Sequence, residues 1–148
     1  MVDEVKMFPE LISEVLDRGH DVRFSAPGRS MYPTIKEDET ITVQPVTPLA
    51  VQKGDIILYR WEKGVIAHRI VGIEKTNGGA SRFILRGDAS GAQDEWVMPE
   101  QVMGKVVTVD RGRRCIDLYS TQFKIEHMLR AWASLLKWWL LRNIIRHA

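Results

Sequence analysis

Asp55-Ile56-Ile57-Leu58-Tyr59-Arg60-Trp61, Glu62-Lys63-Gly64, and then Val65-Ile66-Ala67-His68-Arg69-Ile70-Val71-Gly72-Ile73 form the stretch that decides the fold class. Both outer runs are dense in β-branched and aromatic residues, which suit a pleated, half-buried surface. The polar segment between them carries a glycine and reads as a turn. Working outward, Thr40–Val43 alternates like a strand, and Arg82–Leu85 and Val102–Val109 are further β runs. Thr76-Asn77-Gly78-Gly79 is a strong turn signal before the first of these. Glycine and proline punctuate the whole region at short intervals, which predicts a compact β-barrel or folded sheet.

The flanks read differently. Phe8, Leu11, Ile12, Val15 and Leu16 recur at helical spacing, so a short helix is expected over Met7–Arg18, with Gly19 as its stop. Val22–Ser25 alternates as a strand until Pro27 and Gly28 break it. From Thr121 onward Phe123, Met128, Leu129, Trp132, Leu135, Leu136, Trp139 and Leu140 suit an amphipathic helix, with no proline or glycine to interrupt it. The expected organisation is therefore a helix and lead-in over 1–22, a β domain over 23–120 and a basic, Trp-rich helix over 121–148. The fold class is mainly β.

A chain of 148 residues with 45% hydrophobic and 27% charged residues is an ordinary globular composition. Its formal net charge of +2 gives no argument for nucleic acid, and none is expected as a partner. Cys115 is the only cysteine, so neither an internal disulfide nor a cysteine-based metal site is available, and no metal or cofactor is expected.

Three elements carry chemistry. In Gly28-Arg29-Ser30-Met31-Tyr32-Pro33-Thr34 a serine follows a flexible glycine, and a proline follows the serine. Such a turn exposes a hydroxyl and leaves the serine N–H free to face an oxyanion, but a hydroxyl needs a base to become a nucleophile. His68 lies in a hydrophobic strand, where a satisfied core histidine is the commoner case. Imidazole is nonetheless the side chain best suited to general-base work near neutral pH. The other histidines, His20, His127 and His147, fall near predicted helix ends or the C-terminus, where surface roles are simpler. Asp88 and Asp94 sit in the Gly-containing loop after Leu85, and either is placed to orient a histidine or merely to cap a turn.

Taken together and in order, Ser30-Met31-Tyr32-Pro33-Thr34, Gly54-Asp55-Ile56-Ile57-Leu58-Tyr59, Ala67-His68-Arg69-Ile70-Val71 and Arg86-Gly87-Asp88 resemble the type I signal peptidase and LexA-like serine peptidase superfamily. The likeness runs from about Phe24 to Val109. With histidine rather than lysine at the base position, the chain is similar to the SipW-like, archaeal and endoplasmic-reticulum members. The resemblance implies the signal peptidase β-fold and Ser-His-Asp acyl transfer. It casts Ser30 as nucleophile, His68 as base, and Asp88 or Asp94 as the orienting carboxylate. It implies that Met31 walls the substrate pocket and that Gly28 stands where some relatives carry a second oxyanion donor. The implied substrate is a leader or preprotein with small residues before the scissile bond. A catalytically silent binding module on the same fold is the alternative. A self-cleaving repressor is not expected, because no Ala-Gly or Cys-Gly dipeptide occurs and the base position is not lysine.

No secretory signal opens the sequence, and no run reaches the roughly 20 apolar residues needed to span a bilayer. This departs from typical signal peptidases, and a cytoplasmic or peripherally membrane-associated protein is expected. Lys137-Trp138-Trp139-Leu140-Leu141-Arg142 suits a membrane interface as well as it suits packing on protein.

Overall fold

A computed structural model of the chain describes residues 4–62, 64–89 and 91–120, together with Ile125, Met128, Leu129, Trp132, Ala133, Leu136 and Lys137; side chains are described from Phe8 onward. Helix α1 covers Glu4–Asp17, three residues earlier at its start than the apolar spacing predicts. Its end is closed by the amide of Gly19 on the Leu16 carbonyl and that of His20 on the Val15 carbonyl, the paired bonds of a Schellman cap. Of the apolar helix residues, Ile12 and Leu16 are buried, while Phe8 and Leu11 stay exposed.

Eight strands follow: β1 (Val22–Ser25), β2 (Thr40–Gln44), β3 (Ile56–Trp61), β4 (Gly64–Lys75), β5 (Ser81–Arg86), β6 (Glu95–Val97), β7 (Val102–Arg111) and β8 (Arg114–Asp117). They form one antiparallel sheet in the order β1-β2-β7-β3-β4-β5-β6, with β8 paired to β7. The sheet curls into a half-barrel, so the fold is mainly β. The deciding stretch forms the β3–β4 hairpin, in register from Ile56↔Arg69 to Trp61↔Gly64. Two strands lie outside the sequence reading. β6 is three residues long, and β8 is a polar edge strand (Arg-Cys-Ile-Asp) whose pairing to β7, rather than its own composition, makes it a strand.

Strand β3 is buried on both faces, and its alternation divides the core in two. Ile56 and Leu58 join Ile12, Leu16, Met31, Ile35, Ile41, Val43, Val106 and Val109 on one side. Ile57 and Tyr59 join Val51, Ile70, Phe83, Leu85 and Val97 on the other. Helix α1 contributes Ile12 and Leu16 to the first of these cores. Its seat on β7 is Gly104, where a Cβ would fall 2.6 Å from Val43 and 3.3 Å from Leu16.

Two of the sheet's open strand edges border one cleft. β1 pairs only with β2. On β4, Gly64–His68 pair with β3 on one side, but β5 joins the other side only from Arg69 onward. The expected C-terminal helix falls largely outside the described residues; its seven described positions are helical.

Candidate active site

After Arg86 the chain leaves the β4 ladder, and the turn bearing Ser30 takes the place that a longer β5 would fill. Two contacts hold it there. The Ala89 amide donates to the Ser30 carbonyl at 2.9 Å, and Gly87 lies so close that a Cβ on it would sit 2.4 Å from the same oxygen. Glycine is therefore required at 87 for space. At Gly28 it is favoured by conformation, since φ is 92° and a side chain there would be strained. The far end of the turn is tied down by Arg111, which donates to the Thr34 carbonyl and to the carboxylate of Glu39.

This packing sets the Ser30 Oγ 3.0 Å from His68 Nε2. His68 is only 7% exposed, and burial pushes its proton affinity below the ordinary histidine value, partly offset by the negative charges of Glu95 and Asp88. The neutral imidazole is thus the favoured form near pH 7. The hydroxyl can donate to Nε2 only if that nitrogen is bare, which places the ring proton on Nδ1. Around Nδ1 are the Tyr59 hydroxyl at 3.2 Å and Glu95 Oε2 at 3.4 Å. Tyr59 also donates a short hydrogen bond to Glu95, and burial followed by that carboxylate raises its own pKa far above the usual phenol value. Donors and acceptors match throughout: Nδ1–H faces two oxygens, and the tyrosine proton faces the carboxylate.

The carboxylate beside His68 is therefore Glu95, where the sequence reading offered Asp88 or Asp94. Asp88 is near enough for its charge to act on His68, but Arg69 grips it through two hydrogen bonds of 2.8 and 2.6 Å, and the Thr34 hydroxyl adds a third at 2.5 Å. Arg69 also donates to the Gly54 carbonyl, so it clamps three segments around the site. Asp94 points away into an exposed pair with Arg86. The pairing of β5 with β6 explains the exchange. Glu95 lies opposite Leu85 and Leu85 opposite Ile70, so Glu95 shares a sheet face with Ile70 and His68. Tyr59 reaches the same place because Ile57 opposes His68, and Tyr59 is two residues further along the same face. Tyr59, Arg69, Thr34 and Glu95 had no assigned role in the sequence reading. The Asp94-Glu95 pair was the available signal for the last of them, but which of the two faces inward depends on the β6 register.

Ser30 and His68 line an apolar cleft of about 600 Å³. Its lining includes residues at both of those edges, Phe24 of β1 with Ala26 just beyond it, and Gly64 to Ala67 of β4. Phe8 of α1, packed edge-to-face on Phe24, borders it, and Met31 and Ile35 form part of the lining. Gly28 is also part of the lining. Among the described residues no acceptor takes the Ser30 N–H, and no group of three His, Cys, Asp or Glu side chains is arranged to hold a metal. No family model matches the chain, and no curated protein matches it.

Proposed function

We propose that this chain is a serine endopeptidase of the signal peptidase kind, with the corresponding β-fold, cleaving leader-like peptides by acyl transfer. The observation that carries the reading is the 3.0 Å contact between Ser30 Oγ and a buried, neutral His68, both lining an apolar cleft. An isolated core histidine needs no hydroxyl at Nε2 and no carboxylate behind Nδ1; an activated serine needs both.

Substrate would enter as an extended strand along the open edge of β4, where the backbone groups of Gly64–Ala67 offer hydrogen bonds. Its apolar side chains would fill the cleft. Ser30 Oγ attacks the scissile carbonyl carbon while its proton passes to His68 Nε2. The imidazolium is stabilised by Glu95 through Nδ1–H. The Ser30 N–H faces the developing oxyanion, and Gly28 supplies no second side-chain donor. As the tetrahedral species collapses, Nε2 returns the proton to the departing amine and the C–N bond breaks. Water then attacks the acyl-serine with the same base, restoring the free hydroxyl.

The test is covalent labelling with a serine-reactive acylating probe, read by intact mass. One adduct on the wild type, absent from Ser30→Ala and from His68→Ala, is the expected result. Labelling that persists in Ser30→Ala would sink the assignment. No adduct on the wild type from about pH 6 to 9, a range in which a histidine base becomes neutral, would leave the binding-module reading in its place.

A further inference from the structure

We propose that the C-terminal segment docks this protein flat on an anionic lipid surface. The described helical positions Ile125, Met128, Leu129, Trp132 and Leu136 follow the i, i+3, i+4, i+7 pattern of one helix face. All five are exposed, from 48% for Ile125 to 70% for Trp132. A row of large apolar side chains held in water along one stripe calls for an occupant.

Charge decides which occupant fits. Residues 121–148 contain Lys124, Arg130, Lys137, Arg142 and Arg146 against the single acid Glu126. Residues 1–120 hold the other 16 Lys and Arg and 18 Asp and Glu, so the cationic excess of the whole chain resides in this segment. A second copy seated on the same stripe would bring two cationic segments together, and the segment lacks the balanced acids that flank a helix–helix seam. An anionic bilayer complements both features: the apolar stripe enters the acyl boundary while the cations meet headgroups. Trp132 within the stripe, with Trp138 and Trp139 in the same segment, matches the side chain that favours this depth. Lys137 and Arg142 interrupt the segment's apolar run short of the roughly 20 residues a span needs, so the mode is lying on the surface.

The experiment is co-sedimentation of the full chain with phosphatidylcholine vesicles, with and without about a third phosphatidylglycerol, and it requires no peptidase activity. Binding should favour the anionic vesicles by roughly tenfold or more, since each cation near such a surface contributes roughly a fivefold gain. It should weaken steeply as salt is raised. Trp132→Glu with Leu136→Glu should abolish it while the β body keeps its melting transition. Lys137→Glu, a single exposed change, should weaken it several-fold without touching the stripe. Failure to bind anionic vesicles at low salt would overturn the proposal, as would equal binding by the double variant. A wild-type dimer that the double variant dissolves, without vesicle binding, would assign the stripe to a second copy instead.

Discussion

Replacing Glu95 by Gln keeps the shape of the site and removes the negative charge behind His68. While His68 is uncharged the loss is small. Once the serine proton has reached Nε2, an imidazolium lies 3.4 Å from the carboxylate. At an effective dielectric of about 20, that attraction is roughly 5 kcal/mol. The Glu95 side chain is 31% exposed and also accepts from Tyr59, so about half should be realised, roughly 2–3 kcal/mol after solvent screening. The acylation rate with the serine-reactive probe should therefore fall about 30- to 150-fold. A second signature separates this from mere loosening. Glu95 raises the proton affinity of a histidine that burial has lowered. The wild-type rate should thus lose its acid side below the ordinary histidine value of 6.5, and in Glu95→Gln that midpoint should move further toward acid. The assay is the labelling rate across pH 5–9 for wild type, Glu95→Gln and Glu95→Asp, with thermal melts as a check on folding. If Glu95→Gln labels as fast as wild type while Asp94→Asn is inert, the assignment of Glu95 is wrong.

Gly87→Ala should force the Ser30 turn outward, because the new methyl would lie 2.4 Å from the Ser30 carbonyl oxygen. The expected cost is about 1–3 kcal/mol in denaturant unfolding, with labelling reduced far more than stability. Asp88→Asn should destabilise by about 3 kcal/mol, since it removes the opposite charge from a largely buried Arg69, whereas Asp94→Asn should leave the melting temperature unchanged. Arg111 holds the Glu39 carboxyl below its usual range, first through the hydrogen bond between them. Stability from that pair is complete above the ordinary carboxylate value of 4.5 and is lost as pH falls through the lowered one. Glu39→Gln should therefore cost about 1.5–3 kcal/mol at pH 7 and flatten acid unfolding below pH 4.5.

Local pattern was enough for β1 to β5 and β7, because their β-rich composition lies between turn-forming residues. The start of α1 was misplaced because Glu4-Val5-Lys6 adds no further turn of apolar periodicity to the run that begins at Phe8. β6 escaped because three residues carry too little pattern, and β8 because Arg-Cys-Ile-Asp is too polar to read as a β run; each exists through the ladder that its neighbour offers.

The same division runs through the site. Ser30 and His68 were legible as a glycine-preceded hydroxyl and an imidazole in a strand, both local features. That they stand 3.0 Å apart follows from the exit of β5 at Arg86 and the close packing of Gly87 on Ser30. Asp88, Asp94 and Glu95 are near neighbours in the chain with the same acidic chemistry, so composition cannot rank them. Their fates part in three dimensions: Asp88 goes to Arg69, Asp94 to Arg86, and Glu95 to the face that carries His68. Residue type and order thus determined that a serine, a histidine and an acid were present. Strand register decided which acid stands behind the histidine, because a shift of one residue turns a side chain to the opposite face of the sheet.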